Sequence, residues 1–298
     1  MTRQTTERGY AKINLHLDMT GRMANGYHRV ETVMQTVSLY DEVTVTLTED
    51  GTLCASCAIT GVPTDEKNIA VRAAALFLGR IGASEGVRIH IEKQIPMAAG
   101  MAGGSADAAA TLRCLNRLYG EPLTVAELCE LGATLGADVP FCIMGGTAYA
   151  DGRGDRLHPF PAMPDCHIVC ACEGEGVSTP WAYRLLDSLY DNFEEGGSYR
   201  PVDTDGLKQA LTCGTLTEIA RSLYNIFETP ILRERPVAAE LRSLLLENGA
   251  VGAMMSGSGP SVFGLFDSEC AAENAAEALR QKGYRPYLCR PIVPYETK

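Results

Sequence analysis

A chain of 298 residues with 46% hydrophobic and 21% charged residues is long enough for two domains with well-buried cores, and its composition is that of a soluble globular protein. Its net charge of −11 speaks against sequence-independent nucleic-acid binding, which needs a basic footprint, while one local anion site needs only a few donors. No apolar run approaches the ~20 residues of a membrane span, and Met1 to Arg8 has no signal-peptide core, so a cytoplasmic protein is expected.

In chain order, Tyr10 to Asp18 alternates: Ala11, Ile13, Leu15 and Leu17 make an apolar face, while Tyr10, Lys12, Asn14, His16 and Asp18 make a polar one. This predicts a half-buried strand presenting Lys12 and Asn14 side by side. Asn25-Gly26 signals a turn, followed by strands over 28–39 and 43–48. Thr52 to Ile59 reads as a strand, Asn68 to Leu78 as an alanine-rich helix, and Val87 to Glu92 as a strand. A helix follows from Ala108 through Tyr119. Thr124-Val125-Ala126-Glu127 is a capping-box signature for the next helix, ending near Gly136. A hairpin is expected around Asp151 to Gly154, and the proline cluster at 159–164 is the candidate domain boundary, giving domains 1–160 and 161–298. The second half reads as α+β: strands over 167–172, 251–255, 261–266 and 284–290, and helices over 179–189, 215–227, 236–247 and 269–282, with a polar loop over 192–205.

Eleven cysteines invite a metal or redox reading. Cys54 and Cys57 form the one C-x-x-C, with no second half elsewhere, and residues three apart on a strand point to opposite faces. Reduced, inert thiols among apolar neighbours are the expectation.

The stretch from Pro96 to Asp107 carries Gly100, Gly103 and Gly104 and feeds a helix. A helix N-terminus leaves backbone N–H groups without partners and carries a partial positive charge, and glycines ahead of it allow close approach of an anion. A phosphate cradle and a tightly packed turn are both consistent with it. It is neither a G-x-x-x-x-G-K-[ST] loop nor a G-x-G-x-x-G loop. Asp138, between small residues and Val139-Pro140-Phe141, suits an N-cap, a buried ion pair or a catalytic base. Lys12 on a polar strand face suits solvation or catalysis. Met254 to Ser261 is a second glycine-rich loop between strands, which a plain hairpin connection would also explain.

Taken together, Ala11-Lys12-Ile13-Asn14-Leu15, the loop from Pro96 to Ala108 and Ser256-Gly257-Ser258-Gly259-Pro260 resemble the three motifs of the GHMP small-molecule kinases. Asn25-Gly26-Tyr27-His28 and Leu135-Gly136-Ala137-Asp138-Val139-Pro140 are similar to the branch of that family that phosphorylates a cytidine-diphosphate-linked methylerythritol in non-mevalonate isoprenoid synthesis. The resemblance covers nearly the whole chain and is weakest over 192–216. It implies a two-domain α+β GHMP kinase fold, with a ribosomal-protein-like N-terminal domain and a ferredoxin-like C-terminal one. It implies ATP with Mg²⁺, and transfer of a phosphoryl group to a tertiary 2-hydroxyl. Lys12 and Asp138 would be catalytic. Pro96, Met97, Gly100, Gly103, Gly104, Ser105 and Asn68 would bind ATP. Asn14, Tyr27, His28 and Tyr183 would bind the acceptor, with aromatic rings on the faces of its cytosine. The metal ligands are left open, because Ser105-Ala106 stands where many relatives have two serines, and Ala102 stands where a glycine is commoner. The expected partner is that small molecule, with no nucleic acid and no membrane, for a monomer or weak homodimer.

Three other readings compete, the first of the same class and the other two of different classes. Another GHMP kinase, acting on homoserine, mevalonate or a sugar, would need no aromatic pocket for a base. A ribosomal-protein-like module would bind RNA, against which the net charge counts, and a nucleotide sensor would need no base such as Asp138.

Overall fold

The alternation at Tyr10 to Asp18 belongs to a longer strand, β1 (Gln4–Arg22), and the two strands expected over 28–48 are one, β2 (His28–Thr48). Asp41, in the gap between the two expected strands, is consumed where it stands: its Oδ1 accepts from the backbone N–H of Gln94 at 2.6 Å and of Ile95 at 2.9 Å. The computed structural model describes residues 3–24, 26–190 and 199–293. Asn25 of the expected turn, and residues 192–198 of the expected polar loop, lie outside the described residues.

The chain forms two compact units, neither continuous in sequence. The first comprises Met1–Ala11, Leu39–Met97 and Ala102–Gly145; the second comprises Lys12–Ser38, Ala98–Met101 and Gly146–Lys298. The proline cluster at 159–164, expected as a boundary, lies within the second unit.

In the first unit β3 (Leu53–Cys57) lies parallel to β4 (Gly86–Glu92), with Leu53 opposite Val87. β4 lies antiparallel to β2, with Val45 opposite Ile89, and β1 follows on the far side of β2. Helix α1 (Ile69–Ile81) packs on α2 (Gly103–Leu118). Both bury alanine-rich faces, Ala70, Ala73 and Ala74 on one and Ala106, Ala109 and Ala110 on the other, so their backbones can approach closely. Helix α3 (Val125–Leu135) begins at the predicted capping box: Thr124 Oγ1 accepts from the Glu127 N–H at 3.3 Å, and Glu127 Oε2 accepts from the Thr124 N–H at 2.9 Å. A short helix not foreseen from the sequence, α4 (Val139–Met144), completes the unit.

In the second unit β5 (Thr147–Asp151) adds to β2, with Thr32 opposite Ala150, and returns through the expected hairpin to β6 (Arg156–Phe160). A second sheet has the order β11-β7-β10-β9, built from β7 (His167–Ala171), β9 (Gly252–Met255), β10 (Val262–Phe266) and β11 (Pro286–Cys289). Helices α5 (Thr179–Leu189), α9 (Pro236–Glu247) and α10 (Glu269–Gln281) fall where spacing placed them, and α6 (Asp205–Cys213) was not foreseen. The helix expected over 215–227 is broken into α7 (Leu216–Arg221), a two-residue strand β8 (Tyr224–Asn225) and, beyond it, α8 (Glu228–Glu234). Asn225 causes the break. Its amide donates to Met255 O at 2.8 Å and Gly257 O at 2.9 Å, while its oxygen accepts from the Phe227 N–H at 3.0 Å. Those distant partners outweigh local helix propensity. The core here gathers Leu17, Met19, Val169, Phe227, Leu241, Met255 and Phe266. Burial of each such side chain is worth roughly 1.5–3 kcal/mol. Among the described residues no helix is long and apolar enough to cross a membrane.

Candidate active site

Both faces of β1 are buried in the second unit. Lys12 is only 4% exposed, so the solvated reading of its side chain fails. Lys12 Nζ donates to Asn14 Oδ1 at 2.7 Å, Asn14 Nδ2 donates to Thr32 Oγ1 at 2.8 Å, and that hydroxyl donates to His16 O at 2.6 Å. The segment Ala98–Met101 is fastened to the same place by its backbone. Its carbonyls accept from the N–H groups of Val177, Ser261 and Lys12, onto Ala98, Ala99 and Met101, at 3.2, 3.1 and 3.2 Å. Ser256 Oγ donates to Gly100 O at 3.0 Å and accepts from the Asn14 N–H at 3.3 Å. Gly100 has φ +78°, and a Cβ there would sit 2.2 Å from Ser256 O. The second glycine-rich loop is therefore more than a hairpin connection. Three motifs far apart in sequence, at Lys12-Asn14, Gly100 and Ser256, are joined by direct bonds.

In the first unit α2 opens without a side-chain cap. Its N-cap is Ala102, held left-handed at φ +60°, and Ala98 is likewise at φ +50°. The narrowed backbone expected at Ala102 is thus a strained one, at a cost of about 1–2 kcal/mol per such alanine. With an alanine as cap, no side chain of that residue can accept from the first-turn N–H groups of Gly103, Gly104 and Ser105. Under this turn lies a buried charge triad that the sequence did not suggest. Lys93 Nζ donates to Asp41 Oδ2 and, at 2.8 Å, to Asp107 Oδ2. A Cβ on Gly103 would come within 3.2 Å of that ammonium. Burial pushes the Asp107 carboxyl up to about 7, with Asp41 pushing the same way and Lys93 opposing. Two carboxylates share one lysine, so the triad is one charge out of balance.

Asp138 occupies the N-cap position of α4, yet its side chain makes no capping bond, so that structural reading does not hold. Gly136, two residues earlier, lies near Ser105: a Cβ on it would be 3.9 Å from Ser105 Oγ. Ala106 is fully buried against β1, where a Cβ on Gly9 would meet Ala106 Cβ at 3.3 Å. The absent second serine is thus a core position in this chain. Asn68, expected to line an adenine pocket, spends its amide on the cap of α1: Oδ1 accepts from the Ala70 N–H at 2.9 Å and Nδ2 donates to Pro63 O at 2.7 Å. Pro96 is half-buried, and the apolar Met97 beside it is 48% exposed.

The expected aromatic residues gather in the second unit. His28 and Tyr183 stack, with ring centroids 4.7 Å apart and planes 18° from parallel. No base fits between rings so spaced, so these two rings do not take opposite faces of one base in this arrangement. Tyr183 is braced edge-on by Phe227 at 5.0 Å. Tyr27 is 59% exposed, with the Arg153 guanidinium 5.9 Å from its ring centroid. His28 Nε2 lies 2.8 Å from Asp187 Oδ1, a hydrogen-bond partner with no sequence signal beyond its position four residues after Tyr183 on α5.

Two further buried groups line β1. His16, 1% exposed, has both ring nitrogens without hydrogen-bond partners among the described residues, and burial, aided by the charge of Lys208, lowers it to about 4. Asp18 accepts from Tyr199 OH and from the Val202 N–H. Cys54 and Cys57 lie in β3, and burial pushes Cys114 and Cys166 up to about 12, far from thiolate chemistry. Among the described residues no group of three or more His, Cys, Asp or Glu could hold a metal ion.

Family models match over two stretches: the GHMP kinases N terminal domain over residues 68–146, and the GHMP kinases C terminal domain over residues 207–285. A 4-diphosphocytidyl-2-C-methyl-D-erythritol kinase of Desulfitobacterium hafniense is 42% identical over 94% of this chain and 93% of its own length. One of Alkaliphilus metalliredigens is 43% identical over 93% of both chains. Among solved structures, a 4-(cytidine 5'-diphospho)-2C-methyl-D-erythritol kinase superposes with a TM-score of 0.78 at 34% identity, over 96% of this chain and 99% of that one. A homoserine kinase of Cytophaga hutchinsonii, at 20% identity and a TM-score of 0.74 over 99% of this chain and 96% of that one, shares the fold.

Proposed function

The chain belongs to the GHMP kinase family, and on that premise we propose that it uses ATP to phosphorylate the 2-hydroxyl of 4-diphosphocytidyl-2-C-methyl-D-erythritol, a step of non-mevalonate isoprenoid synthesis in the cytoplasm. Residues 1–160 would correspond to the family's N-terminal domain and 161–298 to its C-terminal one. The triphosphate would rest on the backbone N–H groups of Gly103, Gly104 and Ser105 at the start of α2, with Gly100 shaping the loop ahead of it and Pro96 and Met97 beside the adenine. Asn68 would contribute there through its backbone, since its amide is engaged.

Mg²⁺ bound together with the triphosphate would offset the charge that develops during transfer. Mg²⁺ is commonly held by substrate phosphates, waters and few protein groups, and the Ser105 hydroxyl in the first turn of α2 would be the group this chain offers it. Asp138 would accept the hydroxyl proton as the oxygen bonds to the γ-phosphorus and ADP departs, a contribution of ~10²–10⁴-fold. Lys12, already desolvated, would offset charge on the reacting oxygens, and Asn14 would orient the acceptor. Tyr27, with the His28–Tyr183 stack, would hold the cytosine.

The choice of acceptor rests on that aromatic group, for which homoserine, mevalonate or a sugar has no use. A phosphoryl-transfer assay with MgATP, offering the cytidyl substrate beside homoserine and mevalonate, tests it. Product from the cytidyl substrate alone is expected; turnover of homoserine or mevalonate in its place would contradict the assignment.

A further inference from the structure

We propose that Asp187 is a positioning residue for the base site: it fixes the tautomer and the orientation of His28, and so keeps one wall of that site in place. The inference rests on the cytidyl reading above and deepens it. Asp187 Oδ1 lies 2.8 Å from His28 Nε2, and the Arg22 guanidinium reaches the same oxygen at 2.6 Å. The His28 side chain is 11% exposed and Asp187 is 26% exposed, so this cluster is partly withdrawn from water. A carboxylate only accepts, so Nε2 must carry the hydrogen that points at it. The hydrogen bond made by one ring nitrogen decides which tautomer a histidine adopts.

The same contact sets the ring plane. His28 lies flat on Tyr183, four residues before Asp187 on α5, so one helical turn supplies both the stacking partner and the hydrogen-bond acceptor. Tyr183 cannot slide, because Phe227 meets it edge-on. His28 itself sits at the first residue of β2, following residues without regular structure, so its backbone alone holds its ring weakly. Remove the Asp187 carboxylate and the imidazole loses the hydrogen bond at Nε2 that aligns its ring on Tyr183. Arg22 adds charge to the clamp and ties it to the end of β1.

The test is kinetic and spectroscopic, on the full chain. Asp187→Ala sits on a partly exposed helix face and introduces the best helix former, so folding is retained. It should raise KM for the cytidyl substrate about tenfold, the scale of losing a partner that orients a functional histidine, with KM for ATP and kcat changed less than about twofold. Asp187→Asn keeps an acceptor oxygen and should recover most of that loss. In ¹⁵N spectra the His28 ring, assigned with His28→Gln, should be the Nε2–H tautomer in the parent and a mixture in Asp187→Ala. If His28→Ala and Tyr183→Ala raise the cytidyl KM while Asp187→Ala changes neither it nor the tautomer, the positioning role is wrong and the cytidyl reading stands. A loss spread equally over both substrates and kcat would also overturn it, as a merely structural effect. If His28→Ala and Tyr183→Ala leave the cytidyl KM unchanged, the cytidyl reading itself falls, and this inference with it.

Discussion

Two stretches of one glycine-rich loop are held by opposite means. Ala98–Met101, in the second unit, is held by backbone: four of its residues bond to Val177, Ser261, Ser256 and Lys12, and Gly100 lies too close to Ser256 for any side chain. The start of α2, in the first unit, is held by charge: Lys93 between Asp41 and Asp107, buried under Gly103. The first arrangement tolerates no added atom. The second tolerates no lost charge. A steric change and an electrostatic change should therefore damage different halves of the loop by different amounts.

The largest expected effect is Lys93→Met. It leaves two buried carboxylates without their cation, and breaking a buried pair from one side costs about 3–5 kcal/mol. Denaturant unfolding measures it; a loss below about 1 kcal/mol would show that the triad does not secure α2.

Next comes acid. His16 is held neutral at about 4 against an ordinary 6.5, so the unfolded chain takes up a proton that the folded chain refuses. Stability is full above pH 6.5 and falls as pH drops towards 4, by up to about 3 kcal/mol. His16→Phe should flatten this slope in a pH series of melts, and an unchanged slope would place the acid sensitivity elsewhere. The loss would show that the backbone-held region has its own electrostatic weakness two residues beyond Asn14 on β1.

Gly100→Ala should cost about 2–3 kcal/mol, from a left-handed alanine and the loss of the Ser256 hydroxyl bond. Its effect on KM for ATP should exceed its effect on stability. The smallest effect is Ala102→Gly. It relieves a strained cap but loosens the unfolded chain, so the melting point should hold or rise, within about 1 kcal/mol. Destabilisation beyond that would mean the methyl group packs usefully.

Much of this was legible in the sequence, because local signals survived. The alternation of β1, the capping box at Thr124 and the periodicity of α5, α9 and α10 depend on neighbours in the chain. What was illegible depends on partners far away. Lys12 reads as exposed because alternation cannot reveal that a second layer covers the polar face; burial became possible because Asn14 and Thr32 bond one another beside it. The continuity of β2 through Asp41 was illegible because the partners of that carboxylate, Gln94 and Ile95, are over fifty positions later. Asn225 breaks a helix for carbonyls of Met255 and Gly257. In the aromatic group the residue types were readable, but the direct stack of His28 on Tyr183 was not. Asp187 carried no motif at all.

The most direct test of the account is single-turnover phosphoryl transfer by Asp138→Asn, with ATP and cytidyl-substrate binding measured alongside. Asparagine keeps the shape and one acceptor oxygen of Asp138, so the variant should fold normally and bind both ligands, while transfer falls by about 10²–10⁴-fold. Transfer within a few-fold of the parent would contradict Asp138 as the base and leave the reaction without its proton acceptor.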